Sequence, residues 1–187
     1  MSRIKIPARE DALAESQPLL DTVEKRLGFV PNLHCLLSIS PPVLTGLLHL
    51  QDTLSKTLDA RTRNAIALAV SEVNACSYCL SAHCYVASHI NHTALEEIAL
   101  NRRGESGNAK IAAAARFAAK VVDARGHIDD EEFNAVRDAG FTDPQILEIV
   151  ALAVQFQMTN LINNVTGTEI DLSMIEESPV QRGGDAS

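Results

Sequence analysis

Six consecutive residues, Ala65-Ile-Ala-Leu-Ala-Val70, are apolar on every side of a helix, and so is much of the run from Ile149 to Phe156. A helix with no polar face cannot lie at a surface, so each run belongs near the centre of a bundle. Two such helices need others around them to cover their remaining sides. No segment alternates convincingly between apolar and polar residues, the period that marks a half-buried strand. Hydrophobic residues make up 46% of the 187, yet only 4% are aromatic and there is no Trp. The apolar mass is therefore Ala, Leu, Ile and Val, which favours closely packed helices. The predicted class is all-α.

Start and stop signals divide the chain into helices. One runs from about Ser16, with Pro18 in its first turn, to Leu27, and Gly28 is its left-handed stop. A short helix carries Leu33, Leu36 and Leu37, and Pro41-Pro42 opens another that reaches about Lys56. Asp59 caps the apolar helix that ends near Val73, Asn74 is the expected left-handed break, and a new helix starts at Cys76. Thr93 with Glu96 reads as a capping box, as do Asp129 and Glu132 around a later helix. The last long helix runs from Thr142-Asp-Pro144 to about Val165. These elements predict one domain over residues 1–173, with its motif core at 58–84, and a polar, disordered tail over 174–187.

Ala67-Leu-Ala-Val70 recurs as Ala151-Leu-Ala-Val154, an offset of 84 that sets Asn160 opposite Cys76 and Asn163 opposite Cys79. Either two helical hairpins pack about a pseudo-twofold axis, or two Ala-rich buried helices look alike by chance.

The formal net charge is −8, which argues against nucleic acid and anionic membranes as main partners. No run reads as long enough to span a bilayer, and the polar start Met-Ser-Arg-Ile-Lys-Ile-Pro has no secretory core. The expected location is the cytoplasm. Four Cys in such a chain point to buried or working thiols, not to a disulfide framework.

The chemistry concentrates in Glu72-Val-Asn-Ala-Cys-Ser-Tyr-Cys-Leu-Ser-Ala-His83. If a helix begins near Cys76, then Cys76, Cys79 and His83 line one stripe, since positions three and four apart share a face. A thiol pKa falls at a helix N-terminus or beside a cationic imidazole. A Cys-x-x-Cys pair can then close to a disulfide once one sulfur is oxidised. His83 can hold a Cys79 thiolate as imidazolium or give a proton to a departing oxygen. The bland alternative is a pair of small buried hydrophobes and a surface histidine. A zinc site is disfavoured, because residues 83 and 84 point about 100° apart and Cys84 cannot join the others at one ion. Cys35 and Cys84 read as core or interface thiols, and His34, His49 and His127 as ordinary. Tyr78 either walls the pocket or covers a face. Glu72 joins the stripe only if the helix is unbroken at Asn74.

The stretches Leu58-Asp-Ala-Arg-Thr-Arg-Asn-Ala-Ile-Ala-Leu-Ala-Val70 and Cys76-Ser-Tyr-Cys79-Leu-Ser-Ala-His83 resemble the alkylhydroperoxidase AhpD-like and carboxymuconolactone decarboxylase family. Leu27-Gly-Phe-Val-Pro-Asn32 resembles its peroxidase-related subgroup. The resemblance implies an AhpD-like helical fold, a trimer or hexamer, and a thiol-dependent hydroperoxidase or thiol–disulfide oxidoreductase that needs no external cofactor. It implies Cys79 as the nucleophile, Cys76 as the resolving thiol and His83 as the motif histidine. The partners implied are a hydroperoxide substrate and an external dithiol or thiol-protein reductant. The family's relay glutamate, twelve residues before the first motif cysteine, is here Asn64. Either another carboxylate, Glu72 or Glu148, stands in for it, or turnover is weak. The alternatives are a decarboxylase-like lactone enzyme, whose branch generally lacks the cysteine pair, and an oligomeric redox sensor without turnover.

Overall fold

The computed structural model describes residues 2–171, so the tail predicted over 174–187 lies outside the described residues. Among them there is no strand. The helices are α1 (Gln17–Leu27), α2 (Asn32–Leu37), α3 (Pro41–Leu54), α4 (Ala60–Val73), α5 (Ser77–Tyr85), α6 (Leu95–Arg102), α7 (Ala109–Asp123), α8 (Asp130–Asp138) and α9 (Asp143–Thr166). A π-helical turn, Val86–Ile90, continues directly from α5. The fold is all-α, as the periodicity requires.

α4 is the central element. Every residue from Asn64 to Ser71 is buried, and the helix packs against α5, α6, α7 and α9. Its small side chains permit this: Ala65 and Ala69 meet Ala115 of α7 in a seam lined by little more than methyl groups. On another side Ile66, Ala67 and Val70 join Phe117, Ile149, Leu152 and Phe156 in the largest core cluster. Asp59 caps α4 by accepting from the backbone N–H groups of Arg61 and Thr62, and Gly28 ends α1 at φ 83°. Both follow the signals in the sequence.

One open choice is settled and two expectations fail. At the offset of 84 the second copy should also be a hairpin, but α9 runs unbroken from Asp143 to Thr166. The pair of pseudo-repeated hairpins is therefore absent, because nothing in α9 matches the turn that separates α4 from α5. Thr93 and Glu96 form no capping box: α6 has Ala94 at its N-cap, and the Thr93 N–H is spent on the Ala87 carbonyl of the π-helical turn. Third, α9 is long and apolar enough to cross a membrane by length and composition alone. It packs as a core helix on one side, through Ile146, Ile149, Leu152, Ala153 and Phe156, and carries Leu147, Val154, Leu161 and Val165 exposed on the other.

Candidate active site

The site begins with how α4 stops. Asn74 keeps a right-handed backbone (φ −82°), and the left-handed residue is Ala75 at φ 48°. The Ala75 N–H donates to the Glu72 carbonyl and the Cys76 N–H to the Ser71 carbonyl, each at 3.0 Å. These are the two bonds of a Schellman motif, with alanine where glycine is usual. Asn74 cannot take the left-handed place because α9 holds it. Its Nδ2 donates to Asn160 Oδ1 at 3.0 Å, and its carbonyl accepts from Asn164 Nδ2 at 2.8 Å.

Cys76 thus closes α4 and, in the same residue, opens α5 as its N-cap. The Cys79 N–H, in the first turn, donates to Cys76 Sγ at 3.4 Å. Both thiols are free and buried. Facing them is a polar strip on α9, Thr159, Asn160 and Asn163, all buried in an otherwise apolar surround. Asn163 Nδ2 donates to Cys79 Sγ at 3.2 Å, while Asn160 Nδ2 donates to Ser71 Oγ at 3.2 Å.

These contacts split the two thiols. Donation from the Cys76 thiol, helped by Asn163, Asn160 and Thr159, outweighs burial and holds the Cys79 pKa down at about 7. Cys76 moves the other way. Its proton is held by the bond to the Cys79 sulfur, and burial adds to the rise. Near neutral pH Cys79 is partly thiolate with Cys76 as its hydrogen-bond donor, the asymmetry a nucleophile and a resolving thiol require.

The N-terminal helices roof this pair. Leu20, Leu33, Leu37, Leu44 and Leu47 cluster with Cys76, Tyr78 and Cys79. Tyr78, between the cysteines, fastens the roof: its hydroxyl accepts from the Leu33 N–H at 3.1 Å and donates to Asp171 Oδ1 at 3.0 Å. His34, expected to be ordinary, is buried in α2, and its Nδ1 has no hydrogen-bond partner among the described residues. Burial lowers its pKa to about 4. Cys35 is buried, as a core thiol should be, and Cys84 half-buried.

His83 follows Cys79 by one helical turn, as its spacing predicts, and its half-buried ring stands edge-on to Phe156 of α9 with centroids 5.2 Å apart. Its electrostatic part is different from the one expected. Burial lowers its pKa to about 4, so the ring is neutral when Cys79 ionises. The groups that lower the Cys79 pKa are the Cys76 thiol and Asn163, Asn160 and Thr159 of α9, and His83 is not among them. A neutral imidazole can still accept or pass a proton.

The proposed relay carboxylates lie elsewhere. Glu72 precedes the Schellman turn and pairs with Arg102 Nε of α6 at 2.7 Å; its charge acts on Cys84. The break at residues 74–75 takes it off the Cys76–Cys79 stripe. Glu148 lines a cleft of about 680 Å³ with Lys56, Asp59 and Lys110, near the opposite end of α4. Asn64 is buried, and its Nδ2 donates to the His83 carbonyl at 3.2 Å, tying α4 to the backbone of α5. It also borders a polar cavity of about 250 Å³ with His92, Glu97, Asn101 and Asn108.

Thr159, Asn160 and Asn163 are the site residues that motif spacing did not single out. A signal did exist, since buried amides on a helix otherwise apolar are unusual, and the 84-residue echo set Asn163 opposite Cys79. The echo reads as equivalence, whereas in the fold the two side chains touch.

Residues 41–124 match the family model of the carboxymuconolactone decarboxylase family. Among solved structures, the chain is similar to the alkylhydroperoxidase AhpD core of a peroxidase-related protein from Ralstonia eutropha JMP134, with 26% identity and a TM-score of 0.79, over 91% of this chain and 92% of that one. A peroxidase-related protein from Silicibacter sp. TM1040 shares 24% identity at a TM-score of 0.78, over 90% and 91% of the two chains. The debrominase Bmp8, solved with 2,3,4-tribromopyrrole, shares 22% identity at a TM-score of 0.77, over 91% and 94%. The latter two likenesses are of fold alone. No protein of curated function matches the chain.

Proposed function

We propose that this chain, which belongs to the AhpD-like, carboxymuconolactone decarboxylase family, is a thiol-dependent hydroperoxidase working through Cys79 and Cys76. The observation that carries the reading is the split pair: Cys79 held down at about 7, with the neighbouring Cys76 thiol as the largest cause. A pair of inert core thiols would both be pushed up by burial. The likeness to an AhpD-core, peroxidase-related protein supports the same chemistry.

The Cys79 thiolate attacks the terminal oxygen of a hydroperoxide. An S–O bond forms as the O–O bond breaks, giving a sulfenic acid and an alkoxide or hydroxide that takes up a proton. The Cys79 charge then no longer exists. Because the bond to Cys79 is the largest cause holding the proton on Cys76, the resolving thiol gives up that proton more readily after the first step. It attacks the sulfenic sulfur, the disulfide forms and water leaves. An external dithiol restores the pair. His83, neutral and one turn from Cys79, is the proton carrier nearest in sequence.

The test is a thiol count with a sulfenic-acid trap read by mass spectrometry. Stoichiometric hydroperoxide should remove two thiols, and a dithiol should restore them over many turnovers. Cys76→Ser should accumulate trapped sulfenic acid at Cys79, and Cys79→Ser should give none. Trapping at Cys76 in the Cys79→Ser protein would reverse the assignment. Loss of thiols without catalytic recovery would favour a redox sensor, and no loss would return the decarboxylase-like reading.

A further inference from the structure

Asn163 uses only one end of its carboxamide among the described residues. Its Nδ2 donates to Cys79 Sγ at 3.2 Å. Its Oδ1 is buried and meets no hydrogen-bond donor among the described residues, in a residue only 3% exposed. A buried carbonyl oxygen without a donor is unfavourable, and native folds pair nearly all of them. Turning the amide over does not help. A thiolate accepts but cannot donate, so the end facing it must be the NH₂ group. The free oxygen is then fixed on the same small planar group that touches the nucleophile.

A substrate that completes this site must bring a donor close to the atom that sulfur attacks. A hydroperoxide has one such donor, the O–H of its terminal oxygen, and that oxygen is the one that receives the S–O bond. We infer that Asn163 orients the substrate: Oδ1 accepts the O–H of a protonated hydroperoxide while Nδ2 holds the Cys79 sulfur. This rests on the hydroperoxidase reading and deepens it. With one planar group contacting both reactants, the terminal oxygen is brought to the sulfur with its hydrogen turned away from the attack. As the S–O bond forms and the O–O bond breaks, the terminal oxygen keeps that hydrogen. The products are Cys79–S–O–H, still able to donate to Oδ1, and an alkoxide that takes up one proton to leave as the alcohol. Sulfur is oxidised by two electrons and the peroxide reduced by two. Holding two reactants in this geometry lowers the barrier by orientation alone.

The experiment compares two reactions of Cys79 in the full-length protein. Methyl methanethiosulfonate reports the thiolate and carries no hydrogen-bond donor, whereas hydrogen peroxide and cumene hydroperoxide do. In Asn163→Leu both ends of the amide are lost; in Asn163→Asp the acceptor stays and the donor goes. Both variants should raise the pH midpoint of thiosulfonate labelling. Rates are then compared well above each protein's own midpoint, where Cys79 is fully ionised. The ratio of peroxide rate to thiosulfonate rate should fall by about tenfold in Asn163→Leu, the scale of one hydrogen bond in a transition state, and stay near the wild-type ratio in Asn163→Asp. If Leu lowers the melting temperature markedly, Asn163→Ala removes the same oxygen with less bulk. An unchanged ratio in the folded Leu or Ala protein overturns the inference and leaves Asn163 as a thiolate donor only. A wild-type protein that labels readily but reduces peroxide no faster than a free thiol overturns the hydroperoxidase reading itself, and this inference with it.

Discussion

Ala75 holds a backbone conformation that its own side chain resists. At φ 48° a Cβ crowds the following carbonyl, at about 1–2 kcal/mol, and Gly would fit without that penalty at some loss of chain entropy. Ala75→Gly should therefore stabilise the protein by about 0.5–1 kcal/mol, a rise in melting temperature of roughly 1–4 °C for a chain of this length. A fall in melting temperature would show that the left-handed alanine is not strained. The sequence pointed to Asn74 for this role because it could be judged only against its neighbours, and Asn does tolerate the left-handed region. What decides the matter is Asn160 and Asn164 of α9, which bond Asn74 from far along the chain. The same reasoning separates what was legible in the site from what was not. Cys79 and His83 share a face by local helical spacing, so they could be found. The charge state of His83 and the direction of Glu72 depend on Phe156 and Arg102, which no local pattern joins to them.

At the scale of the element, α9 has two opposed apolar faces, and among the described residues only one is covered. Leu147, Val154 and Leu161, spaced seven residues apart, are 71%, 53% and 49% exposed, and Val165 is 63% exposed. A stripe that repeats every seven residues is the pattern of a helix paired along its length, and a patch that meets its own copy closes into a symmetric assembly. The expected occupant is a second copy of this chain, which fits the trimer or hexamer expected from the sequence. Covering large aliphatic side chains stabilises by about 1.5–3 kcal/mol each, so two charges in the stripe should outweigh the association. Light scattering on Val154→Glu/Leu161→Glu should give the monomer mass while circular dichroism remains helical. Wild-type protein that is monomeric at micromolar concentration would rule the stripe out as a self-association surface. The apolar character of α9 was plain in its sequence; which half of it is buried is decided by where α4 and α7 lie.

For the whole molecule, burial of ionisable groups sets a pH window for stability. His34 and His83 have their pKa lowered by burial to about 4, from 6.5. Between those values the unfolded chain binds more protons than the folded one, so stability falls as pH drops from 6.5 toward 4. Cys79 acts in the same direction at higher pH. Its folded value of about 7 lies below the ordinary 9.0, so the stabilisation it provides is complete above 9 and is lost as pH falls to 7. Cys35, Cys76 and Cys84 oppose this on the alkaline side. Their pKa values are raised, by burial in Cys35 and Cys84 and chiefly by the Cys79 bond in Cys76, and the unfolded chain loses those protons first as pH passes 9. The melting temperature should climb from pH 4 to 6.5, rise further toward 9, and turn down beyond it. Cys79→Ser separates the parts: it should abolish the slope between 7 and 9 and leave the acid limb intact. Calorimetric melting temperatures across this range decide the point. An acid limb that is flat between 6.5 and 4 would mean that both histidines charge freely in the folded protein. His83 could then be the imidazolium beside Cys79, and the thiolate would owe its stability to that charge and not to Cys76 and the amides of α9.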